Sequence, residues 1–179
     1  MTSTAESREL QTLLADTRNL PRLFGALMPA IARKLKCGRC LLFLRDPDSW
    51  QSACTHGWWD KPAHAFPRDN SWRKQSPELP KTDPMFAEAL RNPEALYIED
   101  IDTADPKLVN RDYEVREFAH RALIHAPLFH AGKCYGILEP CVFDEPRIWS
   151  RQDRDATSRL QGRMGPLAAE YVAAHAPRG

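Results

Sequence analysis

The residues with the clearest potential for chemistry lie around a short apolar hairpin in the second half of the chain. His125 lies within an apolar run over 122–129, and Glu139 directly follows a second run over 134–138. An imidazole titrates near neutral pH, and a neighbouring carboxylate can fix its protonation and orientation. The two runs therefore predict a pair of strands that carries a polar site.

The turn between the two strands limits which residues can meet. A three-residue turn over 130–132 places Gly132 in the left-handed position that such a turn requires. That register predicts His125 opposite Ile137 and diagonal to Glu139, on one face of the sheet. We expect the ligand cavity on this face.

The other face of the same hairpin is wholly apolar. Its expected members are Ala122, Ile124, Ala126, Leu128, Gly136 and Leu138. A sheet face of this kind must be covered, and the amphipathic segments elsewhere in the chain are suited to cover it. We therefore predict helices on this side.

Helical periodicity and capping residues locate those segments. Apolar side chains recur at three- and four-residue steps over 20–35 after Asn19, and again after Ser150, which has Asp153 three residues on. Further helices are predicted over 6–17, from 83 or 84 through 91, and over 111–120. Further strands are predicted over 40–45, 50–56 and 95–99.

Two longer segments are expected to cover the polar-bearing face. Residues 57–82 have no regular period but contain three tryptophans, and residues 100–120 bring acidic, aromatic and basic side chains. The candidate ligand-binding residues are Trp58, Trp59, Trp72, Asp100, Tyr113, Arg116, His120, His125 and Glu139.

Three motifs resemble the GAF domain family. They are Arg-Ala-Leu-Ile-His-Ala-Pro-Leu at 121–128, Gly-Lys-Cys-Tyr-Gly-Ile-Leu at 132–138 and Trp-Ser-Arg-Gln-Asp at 149–153. The resemblance runs from Leu20 to Tyr171. It implies an α+β fold, an α/β sandwich whose central antiparallel sheet has about six strands, with terminal helices on one face and a loop-covered pocket on the other.

The same resemblance frames the organisation of the chain. A single GAF-like domain is expected over 1–179, with an N-terminal helix over 6–17, a core over 20–172 and a short flexible tail over 176–179. Terminal helices in the family often pair into a dimeric bundle.

The function implied by the family is regulatory. We expect a non-enzymatic sensory domain that binds a small molecule and acts through its terminal helices on a homodimer or a signalling partner. A different hypothesis is a ligand-free interaction module whose pocket is filled by its own Trp and His side chains.

An enzyme is the third hypothesis. A thiol-dependent reductase on a GAF fold needs cysteines that converge at the pocket. Cys134 and Cys141 are separated by an odd number of positions, so a regular strand sends them to opposite faces. No catalytic constellation is found in the sequence.

The ligand is not identified by the sequence. GAF domains that attach a bilin covalently use a Cys commonly followed by His, whereas the nearest pattern here is Cys54-Thr55-His56. A noncovalent tetrapyrrole or haem stays open, since His56, His120 and His125 could each ligate iron. The cyclic-nucleotide pattern Asn-Lys-x-Phe-Asp-Glu is absent from the sequence.

No metal site is expected. The pair Cys37 and Cys40 has the spacing of half a zinc or redox site, but no second cysteine pair follows. The acids at 100, 102 and 105 lack the Gly and terminal Glu of a calcium loop.

Charge and composition limit the partners. Lys plus Arg total 25 against 24 for Asp plus Glu, so no long-range attraction to nucleic acid or membrane is expected. The first residues do not form a signal peptide, no apolar run is long enough to cross a bilayer, and the five cysteines do not suggest a disulfide framework. We expect a cytoplasmic protein.

Overall fold

Six antiparallel strands form one sheet in the computed structural model, which describes residues 2–178 apart from the side chains of 2–4 and 6. The strand order is β3-β2-β1-β6-β5-β4. The strands are β1 (Arg39–Arg45), β2 (Gln51–Trp59), β3 (Arg73–Lys74), β4 (Leu96–Ile98), β5 (Ala122–His130) and β6 (Lys133–Val142). The α+β fold with about six strands is confirmed.

Six α-helices accompany the sheet within the described residues. They are α1 (Thr2–Leu14), α2 (Leu20–Leu35), α3 (Leu79–Thr82), α4 (Pro84–Ala89), α5 (Arg111–Glu117) and α6 (Arg151–His175), with a short 3-10 helix at Pro62–His64. In this part of the chain, none of the helices combines the length and apolarity that crossing a bilayer requires.

The two long helices begin at the caps that the sequence indicates. The Asn19 side chain accepts a hydrogen bond from the backbone N–H of Arg22 at 3.0 Å. Ser150 and Asp153 form a reciprocal capping box at the start of α6. Each cap satisfies backbone donors that the first turn leaves without a partner.

Helices α2 and α6 pack on the apolar face of the sheet, and α1 packs against α2. Side chains from all three join one buried core with those of β1, β5 and β6, including Ala122, Ile124, Ala126, Leu128 and Leu138. The predicted helix-covered face is thereby confirmed for these five residues, whereas Gly136, the sixth expected member, is not among the core residues.

The hairpin register differs from the prediction. His130 pairs directly with Lys133, so the turn has two residues, and both Ala131 (φ 49°) and Gly132 (φ 77°) have positive φ. The mirror-image two-residue turn matches the twist of the strands, and this outweighs the cost of a left-handed alanine.

A β-bulge then adds one residue to β6. Leu128 pairs with Gly136 but Phe129 pairs with Cys134, so Tyr135 has no partner of its own. With the two-residue turn, this shifts the register by two positions and sets His125 directly opposite Glu139 instead of diagonal to it. The predicted sharing of one face is confirmed.

The bulge also overturns the expectation that Cys134 and Cys141 face opposite sides. Cys141 packs with Leu123 and Cys134 packs with Ile137, on the side of the sheet away from the long helices. Because the bulge inserts a residue, the simple alternation along β6 is broken.

Several helices and strands have limits that differ from those predicted. Helix α1 ends at Leu14 rather than 17, and α5 ends at Glu117 rather than 120. Ala119 lies two residues after the end of α5. Its φ of 54° turns the chain away from the helix and towards β5. The segment 57–82, expected to be irregular, includes the end of β2, the 3-10 helix, β3 and α3.

We predict opposite effects for two glycine substitutions in α6. A Cβ at Gly165 would lie 2.1 Å from the carbonyl oxygen of Phe129, whereas a Cβ at Gly162 meets nothing within 4 Å. Gly165→Ala should therefore destabilise the fold by about 1–3 kcal/mol through overpacking. Gly162→Ala should stabilise it by about 0.5–1 kcal/mol, since alanine favours the helix.

Urea denaturation of the two variants and the wild type measures both effects. Stabilisation by both substitutions would show that α6 does not contact β5 this closely.

Candidate functional site

A cavity of about 220 Å³ lies on the polar-bearing face of the sheet. Its floor comes from β1, β5 and β6, and its cover comes from α3, α4, α5 and the segments around them. It is lined by Phe43, Leu44, Arg45, Ser52, Gln75, Leu79, Asp83, Phe86, Tyr113, Phe118, His125, Gly136, Ile137 and Glu139. Both segments expected to cover this face contribute to the lining.

Glu139 is a buried carboxylate at the cavity floor, 3% exposed. His125 Nδ1 donates a hydrogen bond to Glu139 Oε2 at 3.2 Å, and His120 Nδ1 lies 3.8 Å from Oε1. The second distance is too long for a hydrogen bond, so Oε1 has no hydrogen-bond partner among the described residues. Nearby positive charge must therefore compensate the burial of this group.

The protonation of the pair follows from these contacts. Burial alone would raise the pKa of Glu139, but the hydrogen bond from His125 and the charges of His120, His125 and Arg39 lower it. Burial opposes the charging of His125, yet Glu139, Asp83 and Glu114 together raise the pKa of its imidazole. The pair is best described as an imidazolium bound to a carboxylate.

His125 Nε2 is buried and has no hydrogen-bond partner within the described residues. Since Nδ1 donates to a carboxylate, the imidazolium carries a second N–H at Nε2. The His125 ring lines the cavity, but its Nε2 is itself covered by protein atoms.

Glu114 extends the cluster behind the cavity. Its Oε2 lies 2.8 Å from His120 Nε2, and its side chain is 1% exposed. Burial and the neighbouring Glu139 and Asp83 raise the pKa of Glu114 to about 9. A protonated Glu114 carboxyl carries an O–H, so the contact with His120 is a hydrogen bond that does not need an ionised carboxylate.

Arg39 supplies a positive charge beside the cluster. Its Nη2 donates to the carbonyl oxygen of Phe118 at 2.8 Å, and its guanidinium lies 4.9 Å from the ring centroid of Phe143. Its Nε is buried without an acceptor within the described residues. Arg39 lies diagonal to Glu139 across the β1–β6 pairing and so favours the ionised carboxylate.

Arg45 brings a second buried guanidinium, on the same face of β1, and this one lines the cavity. It is 4% exposed. Its Nε donates to Gln75 Oε1 and its Nη1 donates to the carbonyl oxygen of Cys134, both at 3.1 Å. The Trp50 ring lies 5.0 Å and the Phe86 ring 5.9 Å from its guanidinium carbon.

Asp83 is the remaining acid of the lining. Its side chain accepts a hydrogen bond from the backbone N–H of Phe86 at 3.0 Å and so caps α4. Burial raises the pKa of Asp83. The carboxyl therefore has a structural role as well as a place at the cavity.

The structure gathers some of the sequence-predicted residues and separates others. Tyr113, His125 and Glu139 line the cavity, and His120 contacts the cluster from behind. These residues come from α5, β5, β6 and the link before β5, so the fold joins groups that are well apart along the chain.

The three tryptophans do not gather at the cavity. Trp58 and Trp72 pack against the core on the side of the long helices. Trp59 pairs with Arg39 and so lies on the face of the cavity, but it is not part of the cavity lining.

The charged candidates Asp100 and Arg116 also lie outside the lining. Arg121 Nε donates to Asp100 Oδ1 at 2.7 Å, so the acidic turn is held by an arginine. Arg116 pairs with Glu117 on the surface, with Nε 2.9 Å from Oε1.

The other candidate ligands are placed apart. His56 lies on the helix side, where burial lowers the pKa of its imidazole to about 4. Cys37 and Cys40 are buried in the helix-side core as free thiols. Within residues 2–178, no cluster of His, Cys, Asp or Glu side chains is arranged to hold a metal ion.

Sequence reasoning missed several site residues. Arg39 and Arg45 share the parity of Leu41 and Phe43 along β1, so strand alternation was a signal for their common face. Asp83 and Glu114 carried no such signal, because tertiary packing alone brings them to the cluster.

A two-sided sheet with long helices on one face and a lined cavity on the other defines an α+β module with a ligand-sized site. The family model of the GAF domain matches residues 19–161. The chain belongs to the GAF domain family, whose members are sensory ligand-binding domains often found in signalling proteins.

Solved GAF domains share the fold. The GAF domain of a phosphoenolpyruvate-protein phosphotransferase from Acinetobacter is 11% identical, with 97% of each chain covered and a TM-score of 0.70. The phycoerythrobilin-bound GAF domain of a cyanobacterial phytochrome is 12% identical, with 99% of each chain covered and a TM-score of 0.70.

The PixJ GAF domain of Thermosynechococcus elongatus, in its blue-light absorbing form, is 19% identical. There the similarity covers 88% of this chain and 89% of that one, with a TM-score of 0.65. A search of curated proteins finds no match.

We predict that Glu114→Gln removes a pH dependence of stability. Glu114 has a pKa of about 9 in the folded chain against an ordinary value of 4.5, so unfolding releases its proton between these values. The stability from this group is complete below pH 4.5 and is lost as pH rises towards 9, by up to about 1.4 kcal/mol per pH unit. An amide keeps the donor to His120 and cannot ionise.

The free energy of unfolding, measured from pH 5 to 8, should therefore fall less steeply for Glu114→Gln than for wild type. Glu117→Gln, an exposed change on the same helix, is the matched control and should parallel wild type. A constant difference between Glu114→Gln and wild type over this range would mean that Glu114 is ionised in the fold.

Proposed function

We propose that this chain is a non-enzymatic sensory domain that binds a small molecule in the cavity beneath α3, α4 and α5. The observation that carries the proposal is a cavity of about 220 Å³ lined by the buried side chain of Arg45, whose Nη2 makes no hydrogen bond to the described residues. Leaving such a donor without a partner is costly, so a ligand that satisfies it gains that free energy.

The composition of the lining supports binding. Aromatic and aliphatic walls surround a few polar groups, a pattern typical of small-molecule sites. A domain whose own side chains fill the pocket, the competing hypothesis, would not retain a cavity of about 220 Å³.

The cavity favours a compact ligand over a tetrapyrrole. Sites for drug-sized ligands measure roughly 300–1,000 Å³, above the value of about 220 Å³ here. A linear tetrapyrrole would have to extend into the adjoining groove of about 600 Å³, past Phe43 and Ser52. That groove is lined in part by exposed polar residues, among them Arg68, Asp69 and Asn70.

We expect freshly purified protein to carry a noncovalent ligand mass, which native mass spectrometry detects. Ile137→Phe places a larger side chain in the cavity lining and should abolish that extra mass. Ile148→Phe is the matched control, because Ile148 is 80% exposed, and should retain it.

A bare chain mass for the wild type, with no mass gained on incubation with a cell extract, would contradict binding. An absorption spectrum of the same sample tests for a tetrapyrrole. Visible absorbance would show that the bound molecule is a chromophore and not a compact colourless ligand.

The output is proposed to pass through the terminal helices. Residues of β6 alternate between the cavity and the helix-side core, as Ile137 and Leu138 do. Helices α1 and α6 also border a groove of about 360 Å³ that includes Leu10, Leu14 and Leu160.

We expect a homodimer formed through α1 and α6, and sedimentation velocity measures it directly. Leu13→Glu, a half-buried position on α1, should shift the protein towards monomer. Val115→Glu, at a position on α5 that is 44% exposed, is the control and should leave the dimer intact. A wild-type monomer at all concentrations would leave a separate signalling protein as the partner.

A further inference from the structure

Arg45 is a buried guanidinium in the lining of the cavity. A buried guanidinium normally has a carboxylate partner, because the desolvation of a charge is expensive. Among the described residues, no carboxylate lies within ion-pair distance of Arg45. Its neutral partners, Gln75 Oε1 and the carbonyl oxygen of Cys134, satisfy two nitrogens and leave its charge uncompensated.

Arg45 also keeps one nitrogen without an acceptor. Its Nη2 makes no hydrogen bond to the described residues, whereas Nε and Nη1 are bound to Gln75 and Cys134. The Arg45 side chain lines the cavity. A guanidinium with an unused N–H provides a donor suited to an anionic oxygen.

The acids of the lining do not cancel this charge. Glu139 is bound to His125 through Nδ1, on the other side of the ring from Nε2. Asp83 is bound to the backbone N–H of Phe86, and its burial raises its pKa. Neither carboxyl therefore forms an ion pair with Arg45.

The walls of the cavity are aromatic and aliphatic. The aromatic rings of Phe43, Phe86 and Phe118 and the side chain of Ile137 surround the polar groups. These walls favour an apolar or aromatic body, and the volume of about 220 Å³ limits its size.

Resting on the proposed function, we infer that the ligand is a compact organic acid, with its carboxylate held by Arg45 and its apolar body against the aromatic walls. No bond is made or broken in this event, so the cavity recognises the acid and releases it unchanged.

Isothermal titration of the full chain with benzoate, benzyl alcohol and benzylamine tests the ligand class. These probes share one aromatic ring and carry an anionic, a neutral and a cationic group. We expect benzoate to bind at least about tenfold more tightly than benzyl alcohol, since hydrogen bonds to charged groups contribute about 1.5–3 kcal/mol. Benzylamine should bind more weakly than either.

Arg45→Gln should weaken benzoate binding at least about tenfold and leave benzyl alcohol binding unchanged, because only the charge-assisted contact is lost. Arg73→Gln is the matched control, since Arg73 is exposed and pairs with Asp69 outside the cavity. Its benzoate affinity should equal that of the wild type.

The wild-type probe series alone decides the inference if Arg45→Gln does not fold. The inference that the ligand is an acid would be wrong if benzyl alcohol or benzylamine bound as tightly as benzoate. It would also be wrong if none of the three probes bound. Either result leaves the proposed function to the native mass measurement, where a bound mass would identify a cavity ligand of different chemistry.

Discussion

The buried pair of His125 and Glu139 is the interaction on which the arrangement of the site depends. A carboxylate that is 3% exposed is tolerated in a sheet only if opposite charge lies beside it. Removing one partner of such a pair typically costs about 3–5 kcal/mol, because the other charge is then buried alone. The register of β5 and β6 must therefore keep the two residues opposite each other, and every other cavity contact is built around that register.

The pair also explains why the cluster contains so many titratable groups. Glu139 takes the negative charge, and Glu114 stays protonated because burial disfavours its ionised form and the neighbouring Glu139 carboxylate would repel it. His120 lies between the two acids, with one ring nitrogen towards each. The acids and imidazoles of the cluster therefore compensate one another's charge. Arg45 is not bound to any of them.

Much of the fold could be predicted from the sequence because local physics decides it. Helical periodicity and the caps at Asn19 and Ser150 located the long helices, and the alternation of apolar residues in β5 identified the helix-covered face. The family resemblance then supplied the sheet and the position of the cavity. Each of these inferences needs only neighbours in sequence or a known pattern.

The site was less accessible to sequence reasoning. The bulge at Tyr135 has no unique signature, and it changed both the register and the facing of Cys134. Trp58 and Trp59 are adjacent in β2, so strand alternation already implied that they face opposite sides. Asp83 and Glu114 join the cluster only through packing between distant segments, for which one sequence carries no record.

The contact between α6 and β5 has a mechanical consequence. The carbonyl group of Phe129 fits against Gly165 with no room for even a methyl group, while the Phe129 side chain packs against the group that includes Ile137, a residue of the cavity lining. One residue therefore contacts the shell of the cavity with its ring and the longest helix with its backbone. A contact between two backbones cannot adjust by changing a side-chain rotamer. A shift of the β5–β6 hairpin at Phe129 would therefore displace α6 at Gly165.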